Sequence, residues 1–211
     1  MPLELQRFAH ARPYLYHLTA RFNLRSIATS LELRCTNVLL EAAGFSHQRS
    51  IKRREHVELT SCGGPILIRD QKPLAEGAIA FEDGWDLARF VEHVNDHVFF
   101  WPGQSSGPVK PGLNHFNRYR HESPAILRFR TESVVDSALR FSRCNSGAPR
   151  CSAGKHSPRG SATYLPAAEF VGTVSDVVEV VALGALALPA GTEVSDSPEG
   201  PWLALRSVLP D

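Results

Sequence analysis

The sequence has few cysteines, and no two of them are closely spaced. Its 211 residues contain only Cys35, Cys62, Cys144 and Cys151, and none forms a C-x-x-C pair. Zinc ribbons and disulfide-rich secreted domains depend on such spacings, so neither class of protein is indicated. Reduced thiols, as in a cytosolic protein, are therefore expected.

Long apolar runs, glycine-rich phosphate motifs and net charge are also missing. The longest apolar run, residues 180–190, is interrupted by Gly184 and Pro189 and falls far short of the about 18 residues of a membrane helix. The absence of G-x-G-x-x-G and G-x-x-x-x-G-K-[ST] argues against a Rossmann or P-loop site. The formal net charge is +1, so any nucleic-acid contact must come from a local basic patch.

The chain is long enough and apolar enough for one domain. With 43% hydrophobic residues it can bury a real core, and we predict a single domain over residues 1–211. Residues 1–13 mix charged with apolar side chains and lack the apolar core of a secretory signal. We therefore expect a cytoplasmic protein without a membrane partner.

A histidine lies where an early strand meets a helix, in residues 14–27. The aromatic and branched residues 14–18 are typical of a strand. Asn23 can cap a helix that follows, whose apolar residues recur at helical spacing. His17 then lies at or near the strand end, either as a site residue or as a hydrogen-bonded core histidine.

An arginine and a glutamate follow or lie within two further apolar segments. Residues 66–68 predict a strand that leads to Arg69, followed by a helix over residues 72–80. The structural alternative is that Arg69 pairs with Asp70 or a neighbouring carboxylate. Glu179 interrupts a run of branched residues, where a carboxylate is costly to bury unless it is paired or faces a cleft. Alternatively, Glu179 points to the open side of an antiparallel strand.

Aromatic and basic residues supply further candidates. Residues 97–102 predict an aromatic strand in which Trp101 either packs in the core or stacks on a flat ring. Basic side chains concentrate in residues 49–54 and 143–159. Such clusters are either solvated surface or phosphate-binding segments.

Three of these segments resemble DarT-like ADP-ribosyltransferases. In that family the first strand carries a histidine before an asparagine-leucine helix start, an essential arginine precedes a proline-hydrophobic helix start, and a late aliphatic strand carries the catalytic glutamate. The matching residues are Tyr16, His17, Thr19, Asn23, Leu24 and Ile27, then Arg69, Pro73 and Leu74, then Glu179 within residues 178–181. The spacing between Arg69 and Pro73 is wider than in the family.

The resemblance implies both a fold and an activity. The implied fold is α+β, an ADP-ribosyltransferase-like split mixed β-sheet with flanking short helices and a central NAD cleft. The implied enzyme transfers ADP-ribose from NAD to a nucleic-acid base, in DNA rather than RNA, and releases nicotinamide without a metal. Implied partners are NAD, single-stranded nucleic acid, and an antitoxin or a reversing hydrolase for what would be a toxin. The near-zero charge leaves protein, RNA or a small molecule open as acceptor.

The resemblance also implies roles for individual residues. Glu179 and Arg69 would be catalytic, Glu179 by polarising the ribose and deprotonating the acceptor. NAD would be bound by His17, Leu18, Thr19, Asn23, Arg69 and Trp101. The acceptor would be bound by Arg49, Arg53, Arg54, Arg143, Asn145, Ser146 and Arg150. Two alternatives remain: an RNA 2′-phosphotransferase-like enzyme on the same fold, and a catalytically silent nucleotide-binding module.

Overall fold

The fold is α+β, with short helices around antiparallel strands. The computed structural model describes residues 1–61, 64–74, 77–135, 138–147 and 157–208. The helices in these residues are α1 Leu5–Ala11, α2 Leu24–Ser30, α3 Thr36–Ala42, α4 Leu87–Asn95 and α5 Lys110–Tyr119. The strands are β1 Tyr14–Ala20, β2 Glu32–Arg34, β3 Val57–Ser61, β4 Gly64–Ile68, β5 His97–Gln104, β6 Gly107–Pro108, β7 Pro124–Arg130, β8 Leu139–Ser142, β9 Leu165–Pro166, β10 Glu179–Leu183, β11 Ala185–Ala187, β12 Glu193–Ser195 and β13 Leu203–Ala204.

One sheet of nine strands dominates the described part of the chain. Its order is β13-β12-β7-β1-β5-β10-β8-β9, with β6 paired to β5, while β2 pairs with β11 and β3 with β4. Every one of these strand pairings is antiparallel. The expectation of a mixed sheet is therefore wrong, because side-chain periodicity locates a strand but carries no information about its direction.

The sheet opens in its middle because β5 changes partner. Residues 101–103 of β5 pair with β1, and the last pair in this ladder is Tyr16 opposite Trp101. Residues 97–100 of β5 pair instead with β10, beginning with Phe100 opposite Val180. Beyond Tyr16 the backbones of β1 and β5 are not paired. The second half of β1 therefore leaves a gap in the sheet, and His17 is the first residue beside it.

Aromatic and aliphatic side chains fill the core between the sheet and the helices. Phe8 of α1 packs edge-on against Phe141 of β8, with ring centroids 5.1 Å apart, and Phe100 packs against Phe129 at 5.5 Å. All four rings are at most 2% exposed. Burial of each such side chain contributes about 1.5–3 kcal/mol, so these contacts stabilise the packing of the sheet.

The predicted helix over residues 72–80 is wrong. Residues 72–74 form a turn, in which the backbone N–H of Lys72 donates to Asp70 Oδ1 at 3.1 Å and that of Leu74 donates to the Gln71 carbonyl at 2.9 Å. An aspartate that bonds the backbone two residues ahead stabilises a turn in place of a helix. Pro73 therefore lies in this turn.

Cysteine pairing and membrane-helix length can now be compared with the sequence expectations. Cys144 is disulfide-bonded, so the expectation of reduced thiols is wrong at this position, because sequence spacing does not show which cysteines meet in space. Cys35 is a buried free thiol. None of the helices that the structure describes has the length and apolar content that a bilayer crossing requires.

Candidate functional site

A cavity of about 270 Å³ brings together residues that are far apart in the sequence. His17 of β1, Arg69 after β4 and Glu179 of β10 all line it. Other predicted site residues in its wall are Leu18, Thr19, Asn23, Arg53, Trp101, Asn145 and Ser146. All six of the predicted NAD-binding residues and both of the predicted catalytic residues thus line the cavity.

His17 bridges the gap in the sheet. Its Nδ1 lies 2.9 Å from the carbonyl oxygen of Phe99, and since a carbonyl only accepts, Nδ1 carries the ring proton. Burial, with a smaller contribution from the nearby charge of Arg69, lowers the pKa of His17 to about 4, although the hydrogen bond to Phe99 opposes the decrease. At neutral pH the ring is uncharged and its Nε2 is a hydrogen-bond acceptor. His17 is thus suited to receive an N–H or O–H from a ligand.

Asn23 supports the wall of the cavity. Its amide Nδ2 donates to Thr19 Oγ1 at 3.0 Å and to the Leu67 carbonyl at 2.9 Å, while Oδ1 accepts from the Leu67 N–H at 2.8 Å. The side chain therefore ties the start of α2 to β4. The expectation that Asn23 caps α2 through its side chain is wrong, because these bonds already engage the amide.

Arg69 presents a buried positive charge to the cavity. Its Nη2 donates to the Thr19 carbonyl at 2.8 Å, and its guanidinium lies 4.7 Å from the ring centre of Tyr119. Within the described residues, its Nε and Nη1 are buried without a hydrogen-bond partner. The nearest carboxylate oxygen is Glu122 Oε2, 3.6 Å from Nη1. Two N–H-bearing nitrogens of a buried cation therefore remain for an anionic ligand.

Asp70 does not pair with Arg69, and the carboxylate that the structure places beside this arginine is that of Glu122. Asp70 Oδ1 accepts from the Tyr119 hydroxyl at 2.8 Å, and Oδ2 lies 3.1 Å from the Lys72 ammonium group. Burial lowers the pKa of Arg69, an effect that Glu122, Tyr119 and Asp70 oppose. An arginine stays protonated in a protein even so.

Glu179 is a buried carboxylate held by one neighbouring residue. It is 3% exposed, which excludes the open face of a strand. Its Oε2 accepts hydrogen bonds from the backbone N–H of Ser146 at 3.1 Å and from the Ser146 hydroxyl at 2.6 Å. Burial raises the pKa of Glu179 to about 7, although the Ser146 hydrogen bonds and the charge of Arg159 oppose the increase. A group with this pKa can give or take a proton near neutral pH.

Trp101 lines the cavity but is largely covered. It is 6% exposed and belongs to a cluster with Tyr16, Leu18 and Tyr119. The ring of His115 lies 4.6 Å from the Trp101 ring at an interplanar angle of 38°. Burial lowers the pKa of His115 to about 3, with Arg69 adding to the effect, so this neighbour is neutral. Core packing therefore occupies much of the Trp101 surface.

The predicted basic segment 49–54 divides among three environments. Arg53 turns inward, where its Nε donates to the Arg69 carbonyl at 3.0 Å, and burial lowers its pKa to about 10. Arg49 faces Asp96, with Nη2 3.4 Å from Oδ1. Arg54 lies in a separate surface groove together with Ile51, Lys52, Lys72 and Leu87. The structure thus brings only Arg53 of these three to the cavity.

The second basic segment is also only partly at the cavity. Arg143 is exposed and lies over the ring of Phe170 at 5.2 Å, away from the cavity wall. Asn145 lines the cavity, and its side-chain Oδ1 accepts from the Gly147 N–H at 3.3 Å. Arg150 lies outside the described residues.

Two residues around the site carried no sequence signal. Tyr164 is fully buried and acts on Glu179 through its hydroxyl, and Tyr119 lies under Arg69. Arg159, from the predicted basic segment 143–159, is almost fully buried and acts on Glu179 through its charge. Asp70 was conspicuous as the neighbour of Arg69. Among the residues that the structure describes, no group of three or more His, Cys, Asp and Glu side chains could hold a metal ion.

These features define an α+β protein whose antiparallel sheet opens beside a polar cavity. Residues 13–186 match the model of a family of unknown function, DUF7002, and the chain belongs to this family. The matched region contains His17, Arg69 and Glu179. No curated protein and no solved structure matches the chain.

Proposed function

We propose that this protein is an NAD-dependent ADP-ribosyltransferase. The observation that carries the proposal is that His17, Arg69 and Glu179 line one cavity although they come from three distant parts of the chain. ADP-ribosyl transfer needs a group that holds the leaving nicotinamide, a cation for the diphosphate and a carboxylate near the sugar. A neutral imidazole, a buried guanidinium with unused N–H groups and a buried carboxylate supply these parts.

The reaction breaks the bond between C1′ of the ribose and the nicotinamide nitrogen. Nicotinamide leaves with the electron pair of that bond, which makes the ribose oxocarbenium-like, and the negative charge of Glu179 stabilises it. The acceptor then forms a bond to C1′ and gives its proton to Glu179. A carboxylate whose pKa is near 7 is matched to this proton transfer at neutral pH.

His17 and Arg69 would hold the two ends of the reacting half of NAD. Neutral His17 accepts a hydrogen bond from the ribose hydroxyl or the carboxamide of nicotinamide, while Arg69 donates to a phosphate. The cavity, about 270 Å³, lies just below the about 300–1,000 Å³ range of small-molecule pockets. It therefore suits the nicotinamide-ribose end of NAD, with the remainder of the dinucleotide outside the pocket.

The acceptor in this proposal is a base of a nucleic acid, with DNA favoured over RNA. This choice rests on the DarT-like resemblance, and the groove that contains Lys52, Arg54 and Lys72 is a positively charged surface suited to phosphates. An ADP-ribosyltransferase-like fold belongs to the same proposal. The gap that the change of partner of β5 leaves beside His17 supports it.

The proposal can be tested with purified protein, NAD and defined acceptors. Nicotinamide release and transfer of labelled ADP-ribose are measured with single-stranded DNA, RNA and protein as acceptors. We expect label on DNA, lost in Glu179→Gln, which keeps the shape of the side chain and its ability to accept from Ser146. Glu169→Gln, at an exposed position, is the matched control.

The same assay distinguishes the alternatives. Binding of NAD without nicotinamide release would favour a silent nucleotide-binding module. Transfer of phosphate from a 2′-phosphorylated RNA end would favour the phosphotransferase. Nicotinamide release that persists in Glu179→Gln would contradict the role given to this carboxylate.

A further inference from the structure

A chain of three hydroxyl and carboxylate groups leads away from the cavity into the core. The Ser146 hydroxyl donates to Glu179 Oε2 at 2.6 Å. The oxygen of this Ser146 hydroxyl also lies 2.7 Å from the hydroxyl oxygen of Tyr164. Because the proton of Ser146 is used by Glu179, Tyr164 must be the donor in the second bond. The order is therefore Tyr164 to Ser146 to Glu179.

Tyr164 is fixed in position and fixed in protonation state. Its side chain is fully buried, and its ring lies 4.7 Å from that of His97 and 5.2 Å from that of His93. Burial and the charge of Glu179 hold the pKa of Tyr164 well above its usual value. The hydroxyl therefore keeps its proton and remains a donor to Ser146 throughout the neutral range.

The backbone also holds Ser146 in place. Gly147 packs so closely on residue 73 that an added Cβ would lie 2.5 Å from the Pro73 carbonyl oxygen. Only glycine permits this approach, and it fixes the loop that follows β8. The backbone N–H of Ser146 consequently points at Glu179 Oε2, at 3.1 Å.

The two oxygens of Glu179 have different surroundings. Oε2 accepts both bonds from Ser146, whereas no residue in the described part of the chain donates a hydrogen bond to Oε1. Because a carboxylate group is planar, the two hydrogen bonds that hold Oε2 also fix the direction of Oε1.

We propose that Ser146, locked by Tyr164, is the positioning residue that orients Glu179 and leaves Oε1 for proton transfer in the cavity. Ser146 was expected from the sequence to bind the acceptor, and this inference replaces that role. Its kinetic consequence rests on the proposed function, whereas its structural consequence does not. Among the residues that the structure describes, Arg159 and Tyr164 interact electrostatically with Glu179, and His17, Arg69 and His97 share the cavity wall with it. His97 and Arg140 also contact Tyr164.

The direct test is the titration of the Glu179 carboxyl group by carbon-13 NMR, assigned with Glu179→Gln. Ser146→Ala removes a hydrogen bond to the charged form, so the pKa of Glu179 should rise by about one to two pH units. Tyr164→Phe should raise it less, and Ser146→Thr, which keeps a hydroxyl, should restore it. Ser197→Ala is the matched control, because Ser197 also donates to a glutamate, Glu199, but at the surface.

Kinetics provide the second readout. The acid limb of the kcat profile for nicotinamide release should move to higher pH in Ser146→Ala by the same amount, while KM for NAD changes little. An unchanged Glu179 titration in Ser146→Ala would overturn the proposal, and if that variant does not fold, an unchanged titration in Tyr164→Phe would do so. If wild-type protein releases no nicotinamide but Ser146→Ala still raises the pKa of Glu179, the transferase function is refuted and the positioning role of Ser146 stands.

Discussion

Replacing Glu179 by glutamine should make the protein more stable at pH 8. Burial raises the pKa of Glu179 from 4.5 to about 7, so the folded protein holds this proton more tightly than the unfolded chain does. Below pH 4.5 Glu179 is protonated in both the folded and the unfolded state and does not change the free energy of unfolding. As pH rises from 4.5 towards 7, Glu179 ionises only in the unfolded chain, so the free energy of unfolding falls. Above pH 7 Glu179 is ionised in both states and the free energy of unfolding falls no further.

The size of this effect follows from the two pKa values. The interval from 4.5 to about 7, at about 1.4 kcal/mol for each pH unit, corresponds to about 3 kcal/mol at pH 8. Glutamine resembles the protonated acid and still accepts both hydrogen bonds from Ser146. The variant should therefore recover most of this free energy of unfolding, which for a chain of this size raises Tm by about 6–12 °C.

Urea unfolding of both proteins at pH 5 and pH 8 is the assay. The advantage of Glu179→Gln should be about 3 kcal/mol at pH 8 and less than about 1 kcal/mol at pH 5. Glu169→Gln, at an exposed position, should change stability by less than about 0.5 kcal/mol at either pH. A Glu179→Gln protein that is no more stable than wild type at pH 8, or whose advantage is independent of pH, would refute the reasoning.

Three further predictions follow from the same contacts. Arg69→Lys should lower the rate of nicotinamide release at least about tenfold in steady-state kinetics. One ammonium group cannot both donate to the Thr19 carbonyl and offer two directed N–H groups to a phosphate. An unchanged rate would exclude phosphate binding by Arg69. Asn23→Ala should lower the free energy of unfolding, measured in urea, by about 2–3 kcal/mol, because it removes the hydrogen bonds that tie α2 to β4. Asn114→Ala, at an exposed position, should lower it by less than about 0.5 kcal/mol. Equal effects of the two substitutions would contradict the structural role given to Asn23. Burial lowers the pKa of three histidines to about 4 or below, namely His17, His97 and His115. The free energy of unfolding should therefore fall as pH drops from about 6.5 to 4. The measurement is made in the Glu179→Gln background, which removes the opposing contribution of Glu179, and a free energy of unfolding that does not change over this range would contradict the prediction.

Much of the secondary structure was predictable because it depends on local patterns. Strands β1, β4, β5 and β10 lie where apolar and aromatic runs indicated them. The failure at residues 72–80 has an equally local cause, the turn stabilised by Asp70. Helix propensity competes there with a side chain that bonds its own backbone.

The candidate site was predictable only as separate residues. The sequence marked His17, Arg69 and Glu179 as polar groups in or beside apolar segments, and the structure lines one cavity with them. Their assignment to NAD chemistry stays a prediction. The basic segment 49–54 shows the limit of the approach, since adjacent arginines face a cavity, an acidic helix end and a surface groove.

The sequence by itself determined where several strands and helix α2 form, because hydrophobic period and helix signals act over a few neighbouring residues. Only the tertiary structure decided which polar groups meet. His17 bonds Phe99 across 82 residues, and Ser146 reaches Glu179 across 33. Such contacts depend on how the core packs, which no local pattern encodes. The same is true of the antiparallel strand order and of the burial that raises the pKa of Glu179.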